Sequence, residues 1–175
     1  MERLIICYAW VIWCWKTPIT NYISTKLWLP VFDTDAIRSE VREDLLVWDE
    51  NEVKNRANKR LNSIIKEWKS FIFDVSVDRT WWKIKEILLK NHYNYFLISI
   101  DLDKKTLSSF YKAKWYDESM QRINKVYEDH QNFLKEFSDD INMHINETNY
   151  QNRLENVYSV VSQWIKKFET EKNIK

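Results

Sequence analysis

The sequence predicts an all-α fold: a bundle of about four to five helices, several long and antiparallel, behind an apolar N-terminal segment. Three observations carry this. Glycine is absent from all 175 residues, where ordinary usage of about 7% would supply roughly twelve. Only two prolines occur, Pro18 and Pro30, so nothing from Val31 to Lys175 obligatorily breaks a helix. Beyond Val31, apolar residues recur at spacings of three and four.

Composition bounds the class. The chain is 45% hydrophobic and 30% charged, which suits a globular protein and neither a disordered tail nor a polytopic membrane protein. A net charge of +1 argues against a globally basic nucleic-acid binder. Without glycine, Rossmann and P-loop motifs cannot be written, and their chemistry is excluded on that ground. Ten Trp, nine Tyr and eight Phe imply a core of large side chains or an aromatic interface.

The elements follow in order. Leu4–Trp15 is an unbroken apolar run of twelve residues, short of the roughly twenty a bilayer span needs. No small-residue cleavage site follows it, and Lys16 and Pro18 bound it. Residues 1–32 are therefore expected to be an anchor or docking segment, with Trp10, Trp13, Trp15 and Trp28 as its anchors. Residues 33–175 are the expected bundle domain. Asp33 or Thr34 can cap a helix over about 35–48, with Ile37, Val41, Leu45 and Trp48 on one face. Asp49 and Glu52 resemble a capping box for a second helix over 50–73, striped by Val53, Ala57, Leu61, Ile64, Trp68 and Phe71.

A short helix over about 80–91 carries Trp81, Ile84 and Leu88. Residues 92–103 alternate as a strand would, through Phe96, Ile98, Ile100 and Leu102. A lone strand would lack a partner, so a buried extended segment or helix is expected instead. From Lys104, capped by Asp103, a long helix should run through Ile123, Val126, His130, Phe133 and Phe137 to His144, close to a coiled-coil seam. The final helix, with Tyr150, Leu154, Val157, Val161, Trp164 and Phe168, has the cleanest period.

No constellation points to catalysis. Cys7 and Cys14 are seven apart and read as small buried hydrophobes. His92, His130 and His144 sit in no metal-binding pattern; His130 and His144 would lie about 21 Å apart along one helix and could not share an ion. Acidic pairs fall on polar faces. No enzyme activity, catalytic residue, cofactor or metal is expected. Residues 76–116 do carry a surplus of four positive charges, eight basic against four acidic side chains. Arg79, Trp81, Trp82, Lys83, Lys85, Lys112, Lys114 and Trp115 form a candidate basic-aromatic surface suited to anionic headgroups. The function expected is that of a membrane-associated structural or interaction protein, whose partners are membrane lipid or a membrane-protein complex, and other protein. Two alternatives compete: a soluble bundle holding a lipid or other apolar ligand, and a nucleic-acid binder acting through 79–116. Near-neutral charge disfavours the second.

Overall fold

The apolar run at the front of the chain is a strand. In the computed structural model, which describes residues 3–10, 16–67, 69–113 and 117–172, β1 (Arg3–Trp10) is the central strand of a five-stranded sheet. Its side chains alternate between two cores. Ile5, Cys7 and Ala9 enter one, and Ile6, Tyr8 and Trp10 enter the other. A strand covered on both faces reads as a continuous apolar run, because neither face needs a polar side chain. This corrects the docking segment expected over the first residues: β1 is held inside the sheet.

Every strand pairing is parallel, in the order β2-β3-β1-β4-β5. After β1 come α1 (Lys16–Leu27), β2 (Val31–Phe32), α2 (Thr34–Leu45) and α3 (Glu50–Lys66). β3 (Phe71–Ser76) follows, then α4 (Trp81–Lys90) and β4 (Tyr93–Ile100). The chain ends with α5 (Lys104–Ala113), α6 (Asp117–Phe137), β5 (Met143–Ile145) and α7 (Arg153–Lys172). The all-α bundle is thus overturned: the protein is α/β. β3 lies where the second helix was expected to end, and β4 is the strand that seemed to lack a partner. That partner is β1, in register from Arg3 beside Tyr93 to Trp10 beside Ile100. The long helix expected over 104–144 is instead α5, α6, a single 3-10 turn (Ser138–Asp140) and β5.

Local chemistry sets several boundaries. Asp33 caps α2 by accepting from the Asp35 N–H, and Asp49 caps α3 by accepting from Asn51 and Glu52. The Asp103 carboxylate accepts from the Thr106 N–H at 2.6 Å at the start of α5. One face of the sheet is covered by α1, α5 and α7 through Ile19, Ile23, Leu107, Tyr111, Val157 and Val161. The other is covered by α2, α3 and α4 through Ile37, Val41, Val53, Trp81 and Leu88. α6 supplies Ile123 and Val126 to the first core and Phe133 to the second, so it crosses between layers and carries His130 between them. Among the described residues no helix is long and apolar enough to cross a membrane.

Candidate functional site

Two polar clusters meet at the carboxyl ends of the strands, where open α/β sheets bind ligands. The first joins β1, α1 and β3. β1 stops at Trp10 and α1 starts at Lys16. The Lys16 ammonium lies 2.6 Å from Asp74 Oδ1 and donates to the Asp74 carbonyl at 2.9 Å. Thr20 Oγ1 donates to the same carboxylate oxygen at 2.8 Å. Asp74 is buried near the end of β3, after the apolar residues Phe71, Ile72 and Phe73. The Trp10 ring centroid stands 4.6 Å from Lys16 Nζ, within cation–π range.

The second cluster runs across the sheet edge from β3 to β5. Asp78 Oδ2 accepts from the Trp10 N–H at 3.2 Å and from Ser76 Oγ at 2.5 Å. Its other oxygen lies 2.9 Å from His130 Nδ1. His130 Nε2 lies 2.9 Å from Asp101 Oδ1, which also accepts from Ser99. Asp101 Oδ2 meets His144 Nδ1 at 2.5 Å. Burial works against a charged His130, but its bonds to Asp101 and Asp78 prevail and push its pKa up to about 9. Burial likewise opposes the Asp101 carboxylate, and bonds from His130, Ser99 and His144 nonetheless hold its pKa below the usual value. A cavity of about 250 Å³ opens beside this chain, lined by Trp10, Ser76, Asp78, Arg79, Thr80 and Asp129, with Val126 behind them. Arg79 Nε lies 3.1 Å from Asp129.

The sequence-predicted residues scatter. Trp10 is buried at the end of β1 and lines the cavity, whereas Trp28 is 90% exposed in the turn after α1. Trp13 and Trp15 lie outside the described residues. Trp81 is fully buried, and its indole N–H donates to Asp140 at 2.8 Å. Lys85 pairs with the same carboxylate at 2.6 Å. Trp82 and Lys83 are exposed on α4, and Lys112 is exposed on α5, which packs on the opposite face of the sheet. Arg79 lines the cavity, and Lys114 and Trp115 lie outside the described residues. His130 and His144, expected two heptads apart on one helix, contact the same carboxylate from α6 and β5.

Sequence reasoning missed Lys16, Asp74, Asp78 and Asp101. Two signals could have found the first two. An apolar run ending in Asp74 is a buried strand delivering a carboxylate to the sheet edge. Trp10, Trp15, Lys16 and Thr17 have the spacing of the phosphate-loop signature Gly-x4-Gly-Lys-Ser/Thr, with Trp at both glycine positions.

No protein-family model matches the chain, and no curated protein matches it. Solved structures do. A gluconokinase from Sinorhizobium meliloti superposes with a TM-score of 0.60 at 8% identity, covering 97% of this chain and 97% of that one. Shikimate kinase from Bacteroides thetaiotaomicron gives 0.58 at 9% identity, covering 91% and 98%. A chain of the PezAT chromosomal toxin-antitoxin system of Streptococcus pneumoniae gives 0.59 at 13% identity, covering 84% and 68%. At such identities the likeness is one of fold. It overturns the non-catalytic helical bundle, and the expectation of a non-enzyme, drawn from the lack of a catalytic constellation in the sequence, gives way with it, because the fold is one that kinases use.

Proposed function

We propose that the protein is a small-molecule kinase, transferring a phosphoryl group from a nucleoside triphosphate to a hydroxyl acceptor. The observation that carries this is Lys16: it is the first residue of α1, directly beyond the central strand, and is held by Asp74 in a fold shared with solved kinases. An ammonium at a helix N-terminus, backed by the helix dipole, suits the β- and γ-phosphates. The Thr17 hydroxyl and the Asp74 carboxylate are hard oxygen donors of the kind Mg²⁺ takes, and that ion would neutralise phosphate charge. Incoming phosphate competes with Asp74 for Lys16. Arg79 at the cavity rim supplies a second cation toward the transferring group. Asp78, one of the two carboxylates lining the cavity, is placed to accept the proton of the acceptor hydroxyl, while Asp129 pairs with Arg79.

The test is equilibrium binding of Mg·ATP, followed by phosphoryl transfer to a panel of small hydroxyl acceptors. Lys16→Ala should weaken nucleotide binding by at least tenfold while the fold persists by circular dichroism. Equal affinity in the variant would overturn the assignment.

A further inference from the structure

The phosphate-loop spacing poses a physical problem. Glycine is used there because a backbone without Cβ can approach phosphate and adopt positive φ. This chain has Trp10 and Trp15 at those positions, Trp13 between them, and no glycine anywhere. The Trp10 ring lies against Lys16 and also lines the cavity, so an indole occupies ground a phosphate would need.

A second observation, away from the loop, has the same form. Trp28 has φ 55°, in the left-handed region, and is 90% exposed. The Leu29 N–H bonds the Ser24 carbonyl across it at 3.3 Å. That six-to-one bond closing a helix is the Schellman motif, whose left-handed residue is usually glycine. A bulky side chain there costs about 1–2 kcal/mol, and at 90% exposure this one gains little packing to offset it; Leu46 and His92 are left-handed as well, both with φ 57°. Trp48 and Trp82 are also more than 60% exposed, unlike a residue type that is mostly buried. The whole composition agrees: ten Trp stand where ordinary usage would give roughly twelve glycines.

We propose that Trp10, Trp15 and Trp28 are glycine positions, occupied by glycine in the protein as its own cell makes it. The codon UGA, which some genetic codes translate as tryptophan, differs from the glycine codon GGA in one base. A cell that reads UGA as glycine would make a chain whose conceptual translation swaps the two residues. The functional half of this inference, a completed phosphate-binding loop, rests on the kinase reading. The identity of the residues does not. Trp81 and Trp164 pack in the core, and so does Trp10, edge-on to Tyr8, so the argument at positions 10 and 15 is carried by the loop spacing and the missing glycine, and at position 28 by the exposed left-handed turn.

Two measurements test it. In the gene, all three positions should be UGA; UGG at any of them overturns the proposal. In protein purified from its source, peptide mass spectrometry should read glycine at all three, and tryptophan at any overturns it. The function is then read separately, on recombinant chains carrying glycine or tryptophan at these positions. Mg·ATP binding by the glycine chain, at least tenfold tighter than by the tryptophan chain, is the expected result. Glycine in the peptides with no nucleotide binding by the glycine chain would leave the residue identity standing and sink the kinase assignment.

Discussion

His130 carries a positive charge in a place where burial alone would remove it. Its side chain is 1% exposed, and Asp78 and Asp101 flank its two ring nitrogens. His144, on β5, touches the far oxygen of Asp101. A histidine whose folded pKa is about 9, against about 6.5 unfolded, binds its proton more tightly in the native state. The stability it contributes is complete below pH 6.5 and is lost as pH rises through about 9, with a full amplitude of about 3 kcal/mol. Denaturant midpoints measured from pH 6 to pH 10 should therefore fall on the alkaline side. His130→Gln, which cannot carry charge, should lose about 3 kcal/mol at pH 7 by leaving two half-buried carboxylates without the cation between them. It should also flatten the alkaline decline relative to the parent. An unchanged slope in the variant would show that other groups cause the decline. None of this was readable in the sequence. His130 sits at a helical spacing that fits a core seam, while its partners lie 52 and 29 residues away on loops after two strands.

Which elements were legible depended on whether local pattern or pairing defines them. α7 runs where its four-three spacing put it, because an amphipathic helix shows its buried face at a 3.6-residue period within its own sequence. A strand buried on both faces has no such signature, so β1 looked like an anchor. That error hid a second strand: β4 alternates properly, but with β1 removed it had no neighbour, and pairing is what makes a strand. β3 was lost because Trp68 and Phe71 continue the stripe of α3. A deletion separates the two pictures. With residues 1–32 as an appended segment, the remainder should stay folded. With β1 central, removing residues 1–32 exposes the facing edges of β3 and β4 and strips both cores of Ile5, Ile6, Cys7 and Tyr8, each at most 1% exposed. The expected outcome is loss of cooperative thermal unfolding, with aggregation from the bared edges. A point variant gives a graded version: Ile6→Ala should cost about 2–5 kcal/mol. A truncated chain that melts as sharply as the parent would refute the central placement of β1.

For the whole molecule, binding at one edge of the sheet should be felt by the entire fold. α1 is tied to β3 through Lys16, Thr20 and Asp74, and β3 to β4 and β5 through Asp78, His130, Asp101 and His144. A ligand seated between β1 and α1 thus stabilises elements from both halves of the sheet. At a nucleotide concentration one hundred times the dissociation constant, mass action contributes about 2.7 kcal/mol. A chain of this length gains about 2–4 °C per kcal/mol, which gives a rise in melting temperature of about 5–11 °C. The chain with glycine at positions 10, 15 and 28 should show that rise with Mg·ATP. The same chain bearing Lys16→Ala should show little of it at equal nucleotide. The tryptophan chain should show a smaller rise, because the Trp10 ring lies against Lys16 where phosphate must approach. Part of this site was in view from the start, since Lys16 and Thr17 follow the apolar run directly. What concealed it was the absence of glycine, which removed the usual signature of the loop while leaving its spacing intact. A rise of equal size in all three chains would place the nucleotide elsewhere on the molecule and detach the catalytic proposal from this edge of the sheet.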